Sequence, residues 1–165
     1  MNKLWILLMA ALVLAVYQLI PFHATDVSKL QPVQTMVIST QDGTVCVSCD
    51  EDLTGYGGTL RQAMKDLENS APGTVFLGTA EQIVVCGDSG LIRQLTEIKE
   101  LRPAVQLYLS DTVPDAEDVT AFLSSHDTDV TLLDLKAAVV YGESLTVPCL
   151  AEEQGRYELA GTKQI

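Results

Sequence analysis

The chain has 165 residues, enough for one domain of ordinary size, and its 22 acidic and 10 basic side chains give a net charge of −12. Among these charged residues only Lys3 precedes Asp26, so the negative balance belongs entirely to the sequence after that point. The composition argues against a nucleic-acid-binding protein, which needs a basic surface, and against a protein that lies flat on anionic lipid.

The N-terminal segment Leu4–Ile20 is apolar except for Gln18. As a helix it would reach about 26 Å, the short end of a membrane span. The best signal-cleavage site, after Ala24, places Phe22 where a small residue is required. We therefore expect residues 1–24 to form an uncleaved membrane anchor, with a cleaved signal and a secreted domain as the alternative. The flanking charges favour an N-terminus inside and one extracytoplasmic domain over residues 25–165.

A polar tether and then a β-hairpin are predicted for the start of the exported domain. Residues 21–32 form the tether, and residues 34–40 alternate in hydropathy as a half-buried strand does. Asp42-Gly43 is typical of a hairpin turn, after which residues 44–49 return as the second strand. Residues 50–58 are predicted to be an acidic and glycine-rich loop.

The stretch from Gly57 to Asp88 predicts a helix, a tight break and then apolar β structure. Thr59 can cap the helix, and Gln62 stands where the partner of a capping box is found. Apolar residues at helical spacing define one face, and Pro72-Gly73 ends the helix. Short β-branched runs then predict strands at residues 75–77 and 83–86. We expect one shared buried cluster, formed by Leu60, Met64, Leu67, Ile83, Val85, Leu91 and Leu95.

Two further helices and three further strands are predicted after Asp88. A helix capped by Asp88 or Ser89 presents Leu91, Ile92, Leu95 and Ile98, and a third helix begins after Pro114-Asp115. Residues 129–141 suit either a helix or the start of a strand. The strands fall at residues 104–109, 145–150 and 156–159. The sequence thus predicts an α+β domain, a mixed β-sheet of about seven strands with about three covering helices, preceded by an N-terminal transmembrane or signal helix.

Cys46 and Cys49 form a CxxC motif, which invites a thiol–disulfide or metal-binding interpretation. A redox CxxC opens a helix, where the dipole lowers the pKa of the first thiol. Here the motif lies in a predicted strand, where residues three apart point to opposite faces, and no second pair stands at zinc-finger spacing. Cys86 and Cys149 are also in predicted strands, and the sequence leaves open disulfides or buried free thiols for all four.

Other residues with chemical potential lack partners in the sequence. His23 and His126 have no neighbouring cluster of ligands, and the run Ser124-Ser125-His126-Asp127 does not by itself define a catalytic triad. The acidic run at residues 50–52 lacks the spacing of a calcium loop, and that at residues 115–118 suits a helix start. We therefore predict a non-enzymatic domain with no catalytic, cofactor-binding or metal-binding residues.

The order of these motifs resembles the N-terminal domain of the Ger(x)C family, the C subunits of bacterial spore nutrient-germination receptors. The resemblance rests on G-T-L-x-x-A-M-x-D-L from Gly58, followed by V-F-L-G-T-A-E-Q-I-V-V-C-G from Val75. Flanking segments similar to the family begin at Asp26 and at Leu145, so the resemblance spans residues 26–165. Family members carry a lipid-modified cysteine just after the signal, whereas the first cysteine here is Cys46.

The resemblance implies a function and a location. It implies an accessory domain in a nutrient-germinant receptor complex, bound to integral-membrane receptor subunits at the spore inner membrane. The chain would then be anchored in the membrane by a helix instead of by a lipid attached to a cysteine. The alternatives are a general cell-envelope protein-interaction domain, or an exported thiol or metal protein that uses Cys46 and Cys49.

Overall fold

The structure is a computed structural model that describes residue 5 and residues 29–50, 52–87, 89–153 and 155–165. Apart from Trp5, the predicted anchor at residues 1–24 lies outside the described residues, as do most of the tether and Asp88, one of the predicted caps. Among the helices described, none is long and apolar enough to cross a membrane.

The described chain contains nine strands and four α-helices, which confirms the predicted mixture of α and β structure. The strands are β1 (Leu30–Pro32), β2 (Thr35–Gln41), β3 (Thr44–Cys49), β4 (Thr54–Gly57), β5 (Thr74–Phe76), β6 (Gln82–Cys86), β7 (Gln106–Ser110), β8 (Thr146–Glu153) and β9 (Arg156–Gln164). The helices are α1 (Leu60–Ser70), α2 (Ser89–Gln94), α3 (Ala116–Leu123) and α4 (Leu132–Tyr141), and short 3₁₀ turns lie at Leu77–Thr79 and Leu95–Glu97.

Seven strands form one mixed sheet in the order β4-β3-β2-β6-β7-β8-β9. The four central strands β2, β6, β7 and β8 run parallel, while antiparallel pairs extend the sheet at both edges. The parallel strands are joined through helices because a crossover must carry the chain back over the face of the sheet. The remaining strands, β1 and β5, pair in parallel as a separate two-stranded sheet.

Helices cover both faces of the main sheet, so two hydrophobic cores form. The larger core lies beneath α1, α2 and α4, and the smaller one lies beneath α3. All five residues of β6 are buried because this strand faces both cores. The seven residues predicted to be buried together all belong to the larger core, which confirms that prediction.

The start of α1 confirms half of the predicted capping box. The Thr59 hydroxyl accepts a hydrogen bond from the Gln62 amide at 3.3 Å. The Gln62 side chain, however, accepts from the amide of Gly58 at 3.0 Å, one residue before the expected donor. The first interaction satisfies one of the amides that a helix start leaves without an intrahelical partner, and the second satisfies the amide just before the cap.

Several predicted elements differ in extent from those observed. Leu30–Pro32, assigned to the tether, is β1, and part of the predicted glycine-rich loop is β4. The second helix was predicted as far as Ile98 but ends at Gln94, where a 3₁₀ turn takes over. Residues 129–141, left open between helix and strand, contain α4. Both strands of the last hairpin extend beyond their predicted ends.

Gly55 explains why β4 was missed. A Cβ atom at Gly55 would lie 2.3 Å from the Ala63 carbonyl oxygen and 2.4 Å from the Leu67 backbone nitrogen, so only glycine allows α1 to approach this closely. Glycine is uncommon in strands, and the sequence therefore suggested a loop. The position is fixed by the packing of a helix onto a strand and not by local propensity.

We predict that Gly55→Ala lowers the free energy of unfolding by about 3 kcal/mol, because α1 or β4 must move to admit the methyl group. Gly58→Ala is the matched control, since the close approach of its added Cβ is to the side-chain oxygen of Gln62, at 3.2 Å, and not to the backbone of α1. Urea denaturation followed by circular dichroism measures both changes. Equal stability of the two variants would contradict the close approach.

Candidate interaction surface

The helix α4 is held firmly at both ends by local hydrogen bonds. Thr131 and Asp134 form a capping box, in which the Thr131 amide donates to the Asp134 carboxylate at 2.8 Å and the Asp134 amide donates to the Thr131 hydroxyl at 3.4 Å. The hydrogen bonds from Thr131 lower the pKa of the Asp134 carboxyl. At the other end Gly142 adopts φ +69°, the left-handed conformation that ends many helices.

The start of α4 is also tied to the sheet. The amides of Leu132 and Leu133 donate to the carbonyls of Val105 and Pro103, each at 2.9 Å. The amide of Leu107 donates to Val130 at 3.0 Å. Helix N-termini carry amides without intrahelical partners, and here the chain before β7 supplies acceptors for two of them. The position and rotation of α4 are therefore set by backbone contacts.

This fixed helix is apolar on both of its faces. Leu132, Leu135 and Ala138 are buried against the larger core. On the opposite side Leu133, Val140 and Tyr141 are 58%, 77% and 75% exposed. These three residues stand at i, i+7 and i+8, so they share one face of a helix. We call them the α4 outer face.

An apolar outer face is unusual for a helix on a protein surface. Surface helices ordinarily place polar side chains opposite the core, and helices that are apolar all round are ordinarily buried. Contiguous exposed apolar patches commonly mark interaction sites. The α4 outer face is therefore a candidate interaction surface among the described residues.

The sequence contained a signal for this face that the helical interpretation did not use. The pattern of Leu132, Leu135 and Val139 indicated one apolar face, and Val139-Val140-Tyr141 was also compatible with a strand. Once α4 is helical, Leu133, Val140 and Tyr141 fall together on a second face. A second apolar periodicity within one segment is the observation that would have identified the surface.

The structure places Cys46 and Cys49 on opposite faces of β3. Cys49 belongs to the larger core, while Cys46 pairs with Ser39 across the strands, on the face that also presents Val37 to the smaller core. Both thiols are free, and burial raises the pKa of Cys49 to about 12 and that of Cys46 above its usual value. The geometry therefore argues against the redox pair of the alternative hypothesis.

Cys86 and Cys149 are also free thiols on different faces of the sheet. Cys86 belongs to the smaller core, whereas Cys149 packs against the larger one. Burial raises the pKa of Cys86 to about 12 and also raises the pKa of Cys149. The sequence left open whether the four cysteines form disulfides, and in the structure all four are free thiols. Among the residues that the structure describes, no group of three His, Cys, Asp or Glu side chains could hold a metal ion.

His126 has a structural environment, and His23 lies outside the described residues. The His126 ring stacks on Phe122 with centroids 4.0 Å apart, and its Nδ1 lies 2.9 Å from the Phe122 carbonyl oxygen. The backbone carbonyl of His126 accepts a hydrogen bond from the buried Tyr108 hydroxyl at 2.8 Å. The Ser124 hydroxyl donates to the carbonyl of Ala121 and not to the imidazole of His126. Ser124 and His126 therefore do not form the hydrogen bond that a catalytic triad requires.

Two of the acidic residues noted in the sequence, Asp50 and Asp115, act as local acceptors. The Asp50 carboxylate accepts from the amides of Gln34 and Thr35 at 3.1 and 3.3 Å and so fixes the start of β2. Asp115 caps α3 by accepting from the amides of Glu117 and Asp118. The role of Asp115 confirms the interpretation of residues 115–118 as a helix start.

A separate open groove of about 810 Å³ runs between α1 and the 3₁₀ turn at Leu95–Glu97. Its rim carries both signs of charge, and Arg61 and Glu97 form an exposed ion pair at 3.3 Å. The complete lining consists of Thr59, Leu60, Arg61, Met64, Lys65, Glu68, Leu77, Gln94, Glu97, Ile98, Lys99 and Glu100. The balanced charges select no particular class of ligand.

We predict that Cys49 and Cys86 react with a thiol-labelling reagent at pH 8 at least about 100-fold more slowly in the folded protein than in urea. The reactive species is the thiolate, and a pKa near 12 leaves little of it at that pH. Mass spectrometry of the labelled peptides measures each site separately. Rapid labelling of Cys46 and Cys49 together in the folded state would instead support the thiol-based alternative.

Comparisons of the chain with protein-family models, with curated proteins and with solved structures find no match. The resemblance to the Ger(x)C family thus depends on the sequence motifs quoted above. The functional interpretation depends on those motifs together with the surfaces of the described domain.

Proposed function

We propose that this protein is a membrane-anchored, extracytoplasmic interaction domain that uses the α4 outer face to bind an integral-membrane receptor subunit. The observation that carries the proposal is the pair of apolar faces on α4, one in the core and one exposed. Burying aliphatic side chains such as Leu133 and Val140 against a partner stabilises a complex by about 1.5–3 kcal/mol each before the costs of association.

The resemblance to the Ger(x)C family supplies the biological setting of the proposal. It suggests an accessory role in a spore nutrient-germinant receptor, in which other subunits span the membrane. The apolar segment Leu4–Ile20 supports attachment to the same membrane, which would bring the domain close to such a partner. A tethered domain meets a partner in that membrane at a high effective concentration, so a modest contact surface is sufficient.

A general cell-envelope interaction domain is the second candidate. The α4 outer face supports it equally, since the chemistry of an apolar contact does not identify the partner. The two candidates differ in when and where the protein is made.

Membrane fractionation of growing cells, sporulating cells and purified spores separates these candidates. An antibody to the domain should detect a full-length product confined to the spore inner membrane if the protein serves a germinant receptor. Equal abundance in growing cells would contradict that role and leave the general envelope role. A shortened product in the soluble fraction would contradict the uncleaved anchor.

We predict that Leu133→Ser combined with Val140→Ser weakens association with the membrane partner by at least about 10-fold, because apolar anchors dominate interface energy. Co-purification after solubilisation in a mild detergent measures the retained partner. Val113→Ser is the matched control, since Val113 is also an exposed apolar residue, at 48%, but lies outside α4.

The stability of the double variant should match that of the wild type, since both residues face solvent in the isolated domain. Thermal unfolding checks this point. Full retention of the partner by the double variant would place the interface on another surface and refute the proposed role of α4.

A further inference from the structure

The outer edge of the main sheet, formed by β9, is long, and no described strand pairs with its outer side. Within β9 every residue is exposed except Tyr157, which is partly buried. The opposite edge, β4, has only four residues and is packed against α1. An uncovered edge presents backbone donors and acceptors that can pair with another strand.

The backbone groups that point outward from β9 can be derived from its pairing with β8. Leu145 and Ile165 exchange two hydrogen bonds, at 3.1 and 2.9 Å. Because hydrogen-bonded and non-hydrogen-bonded pairs alternate along antiparallel strands, the amides and carbonyls of Thr162 and Gln164 point away from β8.

At the other end of β9, the outward-pointing backbone groups follow from the same alternation, counted from the hairpin turn. Glu153 pairs with Arg156 across a two-residue turn, which makes this closing pair a hydrogen-bonded one. By alternation, the backbone groups of Tyr157 and Leu159 point outward. A register shift separates the two halves of β9, and it places Ala160 and Gly161 together as a bulge.

This bulge selects one symmetric register for self-pairing. A two-fold axis through Ala160-Gly161 sets Leu159 opposite Thr162 and Tyr157 opposite Gln164, so every outward-pointing residue meets an outward-pointing one. Strands come closest at non-hydrogen-bonded pairs, and the two symmetry-related pairs beside the axis each set Ala160 of one copy opposite Gly161 of the other. The residues there are alanine and glycine, the two smallest side chains.

The same register also places oppositely charged side chains opposite each other. It sets Glu158 of one copy opposite Lys163 of the other, twice by symmetry. These are also non-hydrogen-bonded positions, where side chains of facing residues lie close together. Within one copy the two residues are not neighbours, since Glu158 pairs with Ala151 and Lys163 pairs with Val147. Opposite charges at facing positions stabilise strand pairing.

From these observations we infer that the protein forms a homodimer in which the β9 strands of two copies pair antiparallel about Ala160-Gly161 and join the two sheets. A contact between single strands is smaller than a standard protein interface. The dimer is therefore weak, and its population depends on protein concentration. The inference is independent of the proposed function, because it uses β9 and not the α4 outer face.

Charge exchange between Glu158 and Lys163 tests the dimer. The full chain in detergent micelles is studied by sedimentation equilibrium over a range of concentrations. Glu158→Lys or Lys163→Glu alone places like charges opposite each other at both symmetric sites, and we expect the dissociation constant to rise roughly 10-fold. Combining the two substitutions restores opposite charges and should restore dimerisation. A wild-type chain that stays monomeric, or single variants that dimerise normally, would overturn the inference.

Cross-linking tests the register directly. A mixture of the Glu158→Cys and Lys163→Cys single variants should form a disulfide-linked dimer under mild oxidation, whereas each variant alone should form none above the wild-type background. The wild type corrects for its own partly exposed thiols, Cys46 and Cys149. Cross-linking in the mixture at the same rate as in the separate samples would exclude this register.

Discussion

The strand Gln82–Cys86 is the element on which the rest of the structure depends. It lies in the middle of the parallel strands and is buried on both faces, so its side chains alternate between two cores. Ile83 and Val85 contribute to the larger core, and Val84 and Cys86 contribute to the smaller one. A polar residue occurs in this strand only at Gln82, whose side chain accepts a hydrogen bond from the Thr35 hydroxyl at 3.1 Å. Helices must cover both faces to keep such a strand from water.

Local sequence patterns were sufficient to predict a helix or strand where its buried residues recur with the period of that element. The helix α1 has a single buried face, and β6 is an apolar run bounded by turns, so the prediction of both succeeded. The strand β2 was located correctly, but it is buried on both faces and not half-buried as predicted, because α3 covers its second face. The pattern was insufficient where the determining contact is distant in sequence. Leu30–Pro32 becomes a strand only because Thr74–Phe76 lies beside it, and Gly55 belongs to a strand only because α1 packs upon it.

The candidate surface was harder to predict for a different reason. Amphipathic periodicity identifies a helix by the difference in hydropathy between its two faces, and in α4 this difference is small. The same lack of contrast that obscured the helix in the sequence makes its outer face a candidate interaction surface among the described residues. The edge strand β9 was predicted only as far as Leu159, because Gly161 interrupts the β pattern. The bulge at that glycine then determines how a second strand can pair.

The unequal size of the two cores has a consequence for how the domain opens. One face is secured by three helices, whereas the other depends on the eight-residue helix α3 and a short set of buried contacts. Segments with few buried contacts detach at lower free energy than the whole molecule unfolds. We therefore expect the amide hydrogens of α3 to exchange with solvent through a partial opening that leaves the sheet and α1 intact. In such a state Val37, Val84 and Tyr108 would lose the cover that α3 provides, and this face of the sheet would become accessible while the larger core stays closed.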